Sequence, residues 1–230
     1  MMEFLFNGRS KMSDLLRSNA SLIRLMPRFG IELGFGDRTV AAVCKLHGLD
    51  VNFFLMICKI YAIDGYVPAD DEVDTVELEQ LIDYLEASHR YYVDQRLPHI
   101  ERHLQLIADK LPQNVAIVFS NFVTGYRKEV SRHFEKEEKK VFPYVGKLRR
   151  GEPTGNYSIS TFLHTHSDVE EKLEDLTQIL FKYLPGDANS DNTIDVLYDL
   201  LELEDDLRKH TLIEERVMAP QVKKLEEARQ

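Results

Sequence analysis

From residue 76 onward, apolar side chains recur every three or four positions, which is the period of one helix face. Four such stretches can be traced. The first, Val76 to Lys110, aligns Leu78, Leu81, Ile82, Leu85, His89, Val93, Ile100 and Leu104, and Pro98 is expected to bend it. The second, Gln113 to Leu148, aligns Phe122, Tyr126, Val130, His133, Glu137, Val141 and Tyr144. The third, Ser158 to Leu184, aligns Phe162, His166, Val169, Leu173, Leu176 and Leu180. The fourth, Asn192 to Glu227, aligns Leu197, Leu200, Leu203, Leu207, His210, Glu214 and Val217; the next position in register is Gln221, so the inward face is expected to end there, just past Pro220. Breaks at Gly151 to Gly155 and at Gly186 separate the second, third and fourth stretches, as short loops of an up-down-up-down bundle would. No strand-like alternation competes with this pattern.

Residues 1–63 read differently, as short helices joined by glycines. Ser13 or Ser18 is a candidate cap for a first helix, with Leu22, Ile23, Leu25 and Met26 as apolar positions before Pro27. The run Phe29-Gly-Ile-Glu-Leu-Gly-Phe-Gly-Asp37 has three glycines in its middle and predicts tight turns. Asp37 is the expected N-cap of a helix over 38–47, Gly48 its C′ residue, and Asp50 the cap of a further helix ending near Tyr61. The segment from Asp64 to Asp74 holds five acids, a glycine and a proline with no apolar period, so it is expected to be a connection. The predicted class is therefore all-α: a small N-terminal helical domain over 1–63, a linker over 64–75 and a four-helix bundle over 76–230.

Charge supports the division. Up to residue 63 there are 8 basic and 5 acidic side chains, and beyond it 21 and 34, within a chain of net charge −10. An acidic balance of this size argues against a nucleic-acid binder. Cys44 and Cys58 stand alone, without a Cys-x-x-Cys spacing, so no disulfide framework or zinc knuckle is expected. No apolar run approaches the roughly 18 residues needed to span a membrane, and no signal-type segment opens the chain; a cytoplasmic location without membrane association is expected.

The polar residues inside the stripes carry the chemistry. His210 and Glu214 are four apart and so share a helix face, and His133 and Glu137 repeat the spacing. In both copies a second glutamate follows at the fifth position, Glu215 and Glu138, and a proline at the tenth, Pro220 and Pro143. The other two stretches each add one inward histidine, His89 and His166. A single His/Glu pair could equally be an exposed helix-stabilising pair. Six such groups in one core point instead to metal, because ionised glutamates facing a core cost several kcal/mol each without a counter-charge, and facing helices offering His and Glu are a known way to hold two iron or manganese ions. His99 and His103 are also four apart, but no carboxylate pattern accompanies them and a solvated face is expected. His164 should point outward because His166 points inward; Glu170 could be a seventh ligand, or part of a charged face with Glu171 and Lys172. Glu138 and Glu215 could support the ligands or face solvent, and Tyr92, Tyr126 and Tyr144 are read as core or rim aromatics.

The strings His133-x-x-Lys-Glu137-Glu138-x-x-x-Phe-Pro143 and His210-x-x-x-Glu214-Glu215, with His89 and His166-Ser-Asp, resemble the cation-binding motifs of hemerythrin-like domains. The two-part layout is similar to the repair-of-iron-centres proteins, also named regulators of cell morphogenesis and nitric-oxide signalling. The resemblance implies a hemerythrin-type bundle with a di-iron centre, oxo- and carboxylate-bridged, in which His89, His133, His166 and His210 are terminal ligands and Glu137 and Glu214 bridge. Manganese fits the same donor set. It implies reactivity with nitric oxide or dioxygen, iron–sulfur proteins as partners, and a part in repairing damaged iron–sulfur centres under stress. No catalytic residue is implied. The family commonly carries adjacent cysteines in its glycine-rich turn, where this chain has Gly34-Phe35, and Cys44 reads as a small packed residue. Two further readings follow: a non-enzymatic sensor or carrier of the diatomic ligand with the N-terminal domain as interaction module, and a metal-free helical interaction protein.

Overall fold

A computed structural model describes residues 6–155, 157–161, 167–183 and 191–229. The fold is all-α, and among these residues the only β feature is an isolated bridge between Lys11 and Thr39. The helices are α1 (Met12–Ser18), α2 (Val40–Leu46), α3 (Val51–Ala62), α4 (Asp70–Asp74), α5 (Leu78–Arg90), α6 (Leu97–Ala108), α7 (Gln113–Lys136), α8 (Phe142–Arg150), α9 (Ser167–Tyr183), α10 (Asp191–Ile213) and α11 (Ala219–Glu227). No single helix among the described residues is long and apolar enough to cross a membrane.

The long amphipathic stretches form rods, three of which contain a π turn. Residues Tyr91–Arg96 join α5 to α6, Glu137–Val141 join α7 to α8, and Glu214–Met218 join α10 to α11. Each π turn ends one residue before an X-Pro step, and the residue before proline donates its N–H five positions back: Leu97 to Tyr92, Phe142 to Glu137, Ala219 to Glu214. A proline lacks the N–H of an α-helical bond and its ring crowds the carbonyl four residues earlier. The wider turn relieves that conflict, and helical structure continues through Pro98.

The π turns also correct the predicted stripes. In the first rod Tyr92 is wholly buried and Val93 only partly so. In the fourth rod the inward face does not stop at Gln221, because Val222 is wholly buried. A π turn consumes an extra residue, so the inward position moves from 221 to 222. Gln221 instead donates from Nε2 to the Val73 carbonyl at 2.6 Å.

Two compact units result. One comprises residues 1–88 and 212–230, the other residues 89–211, and the divisions fall inside the unbroken helices α5 and α10. The first unit is built on Leu81, Leu85, Phe53, Phe54 and Tyr84, with Phe29 packed against Phe54 and Tyr84 at ring distances of 5.0 and 4.7 Å. In it α2 begins at Val40 with Thr39 as its cap, not at Arg38 after Asp37. The backbone of residues 38–40 is tied to residues 10–12, Arg38 accepting from Met12 and Val40 donating to Ser10, so Arg38 cannot turn into the helix. Asp37 pairs with Lys11 at 2.8 Å. The same tie removes the need for a serine cap on α1, which starts at Met12 after Lys11. At the other end of α2, Gly48 has φ +67° and Leu49 donates to the Cys44 carbonyl, a glycine-closed terminus as predicted; Asp50 caps α3 by accepting from Phe53 at 2.8 Å.

The acidic segment after α3 carries the one-turn helix α4 with Val73 buried beneath it. Glu72 accepts from Lys59 at 2.9 Å, from the Tyr66 hydroxyl at 2.7 Å and from the Ala69 N–H at 3.2 Å. Burial pushes the Glu72 carboxyl up, but these hydrogen bonds outweigh it and hold the group below its ordinary 4.5. A folded value below the unfolded one makes the contribution present above about pH 4.5, and it is lost as the pH falls through the depressed folded value. Glu72→Gln is therefore expected to destabilise at pH 7, by about 1 kcal/mol or less for so solvated a group, and to cost nothing near pH 2. Urea titrations of both proteins at the two pH values measure this.

The second unit is a helical bundle in which α6 packs on α7 and α7 on α9. Its core runs through Leu97, Ile100 and Leu104, Val123, Tyr126 and Val130, Leu173 and Leu176, and Leu200, Leu203 and Leu207. The predicted third stripe is met by Val169, Leu173, Leu176 and Leu180, all buried.

Candidate metal centre

Three rods bring the site together at the level of their π turns. His89 ends the apolar face of α5, His210 that of α10, and Glu137 and Glu214 open the π turns that follow α7 and α10. All four are buried, exposed by no more than 2%. His89 Nε2 lies 3.2 Å from His210 Nε2 and 3.2 Å from Glu137 Oε2. Each of His89, Glu137, His210 and Glu214 offers one donor atom within 4.8 Å of the others. His133 stands one turn before Glu137 and reaches its Oε1 at 2.8 Å, so it joins the group through the carboxylate.

Glu138, left open between support and solvent, contacts one member of the group from its exposed side. Its Oε1 lies 3.0 Å from His89 Nδ1. That hydrogen bond, more than any other influence, holds the Glu138 carboxyl below the usual carboxylate range. A neutral imidazole that donates from Nδ1 presents a lone pair at Nε2, towards Glu137 and His210. Lone-pair donors then converge on one point from two imidazoles and two carboxylates. Two ionised carboxylates this close in a buried site repel each other strongly, and a cation among them turns the cost into attraction. The donor set fits a cation.

The walls are aromatic. The His89 ring stacks on Phe134 at 4.1 Å and on Phe142 at 5.6 Å, and Tyr92 meets the His210 ring edge-on at 5.6 Å. The Tyr92 hydroxyl donates to buried Asp206 at 2.6 Å. Sequence reasoning missed Asp206 although it stands four residues before His210, so that Asp206, His210 and Glu214 follow one another turn by turn. It also missed the π turns, for which Pro98, Pro143 and Pro220 were the signal: each lies six residues after the carbonyl that closes a π bond.

His166 and His164 fall outside the described residues, as does Phe162. Glu170 accepts from the Thr211 hydroxyl at 2.6 Å and is not in the converging group. Glu215 is exposed, while Tyr126 and Tyr144 are buried. The His99 and His103 rings lie 4.6 Å apart on α6, tilted by 40°, and are not in the converging group.

Fold and site thus define a class, a helical bundle with a buried histidine–carboxylate cation centre. The chain belongs to the hemerythrin HHE cation binding domain family, whose model matches residues 78–222. It is similar to the iron-sulfur cluster repair protein YtfE of Salmonella typhimurium, 24% identical over 190 residues that cover 80% of this chain and 83% of the relative. The proteins of the same name from Salmonella schwarzengrund and Salmonella paratyphi B are 24% and 23% identical over the same shares.

Proposed function

We propose that this chain is a di-iron protein that reacts with nitric oxide or dioxygen and takes part in restoring damaged iron–sulfur centres. The observation that carries the reading is the convergence of His89, Glu137, His210 and Glu214 in a buried pocket. With His133 and His166 these are the residues that would hold two ions, Glu137 and Glu214 being the carboxylates available to both. Manganese suits the same donors. Bound iron would supply a redox-active centre able to take a diatomic molecule. Around it, Glu138 orients His89, Phe134 and Phe142 keep water from one side of that ring, and Tyr92 with Asp206 braces His210. The names of the relatives supply the link to iron–sulfur repair.

A second reading has its own support. In the N-terminal part, burial pushes the Cys44 thiol up to about 12 and the Cys58 thiol well above its ordinary 9.0. Neither supplies a thiolate near neutral pH, and Gly34 and Phe35 occupy the turn. Without thiol chemistry the chain would act as a di-iron sensor or carrier, its N-terminal part an interaction module. Iron–sulfur proteins are the partners under the first reading, while the acidic charge leaves no part for nucleic acid under either.

The electronic spectrum and metal content of purified protein, before and after nitric oxide, test both. About two irons per chain and a new absorption on adding the gas are expected. A chain without iron overturns both readings. Reactivation of a nitric-oxide-damaged iron–sulfur enzyme selects the first, and gas binding without reactivation the second.

A further inference from the structure

Between Lys110 and Arg127 there is no charged side chain, the longest such run in a sequence of which 30% is charged. The run covers the first four turns of α7, where apolar residues face outward: Val115, Ile117 and Val118 are 45%, 55% and 69% exposed. Asn114, Val118, Asn121 and Gly125 follow at spacings of four, three and four, so they line one outer face, and all are exposed. The opposite face, with Phe119, Val123, Tyr126 and Val130, is buried in the core. Gly125 stands mid-helix, where glycine weakens a helix relative to alanine. A Cβ there would meet nothing outside the local helix backbone within 4 Å, so the fold of the chain itself gives no reason for a glycine. What a missing side chain permits is the close approach of another backbone.

We propose that the outer face of α7 pairs with the same face of a second copy of this chain, antiparallel about a two-fold axis near Asn121. A chain of net charge −10 repels its own copy, and a face without charge is where that repulsion is weakest. An acidic or a basic partner would find no complementary charge on this face. Asn121 carries donor and acceptor on one amide, so two copies facing across the axis satisfy each other. With Asn121 at the centre, each Val118 falls opposite the partner's Gly125, since the two positions lie three residues before it and four after. An apolar knob then fills the space that the glycine leaves. Ile117 and half-buried Phe122 flank the seam. Beyond it the same face turns basic at exposed Lys128 and Arg132. A parallel pair would set each of these against its own copy, whereas an antiparallel pair keeps them at opposite ends.

Sedimentation velocity of the full-length protein over a range of concentrations tests the pairing. A reversible dimer of twice the chain mass is expected, its fraction rising with concentration. Val118→Glu places two carboxylates in the seam and should weaken dimerisation at least about tenfold. Gly125→Gln separates lost pairing from lost folding. In dilute, monomeric protein it puts a better helix former into open space, so the melting temperature should stay equal or rise, while the dimer weakens at least about tenfold. Neither residue belongs to the converging group, so metal content should match the wild type in both variants. Wild-type protein that stays monomeric at every concentration overturns the proposal, as does a dimer that neither substitution weakens. Monomeric protein that sediments with phosphatidylglycerol vesicles, and no longer does so as Val118→Glu, overturns it in favour of a membrane surface.

Discussion

Replacing His210 by alanine is expected to strip the centre of its metal. The imidazole is buried, its Nε2 lies 3.2 Å from His89 Nε2, and it is one of four side chains whose donor atoms converge. Water cannot readily stand in for it, because Tyr92 and Phe134 close the same space, each about 5.6 Å from its ring. Loss of a residue that merely supports a ligand costs roughly 10–100-fold in metal affinity, so loss of the ligand itself should cost at least about 100-fold. Glu137→Ala should act as strongly, because Glu137 meets His89 at 3.2 Å and His133 at 2.8 Å. Metal content per chain after gel filtration gives the answer, with His103→Ala as the control that keeps its iron. Full metal retention in both His210→Ala and Glu137→Ala would show that these side chains are not the site.

Removing the metal should lower thermal stability by an amount that a metal-free interaction protein would not show. An ion bound only by the native state at a thousand times its dissociation constant contributes about 4 kcal/mol. For a chain of this size, at roughly 2–4 °C per kcal/mol, the melting temperature should fall by about 8–16 °C on chelation. The sign of a second change is diagnostic. In metal-loaded protein Glu137→Gln removes a charged donor and should destabilise. In chelated protein the same substitution removes one of two buried carboxylates and should raise the melting temperature. Calorimetry of both proteins with and without chelator separates the four states, and a melting temperature indifferent to chelator would refute a native-state metal site.

Much of the fold was legible because helices announce themselves locally. The stripes from Leu78 to Leu207 needed only the three-and-four spacing of one face, and Gly48 and Asp50 were read from the conformations and hydrogen bonds those residues favour. The errors have local causes of another kind. Arg38 and Asp37 were placed in and before a helix they do not make, because the backbone of residues 38–40 is bonded to residues 10–12. Val93 was placed on the inward face and the fourth stripe was ended at Gln221 because each position lies within or follows a π turn, which adds a residue that a constant 3.6 period does not count.

By itself the sequence determined the all-α class, the two spaced His/Glu pairs and much of the apolar register of the long helices, since each is a relation among residues a few positions apart on one helix. Only the tertiary structure decided which of those residues meet. His89 and His210 are 121 positions apart and His89 and Glu138 49, and no spacing rule reaches across helices. The same limit explains why Glu138 was left undecided. A helix fixes the direction of its own side chains through its hydrogen bonds, whereas the partner across the core is set by how rods pack and where π turns shift them.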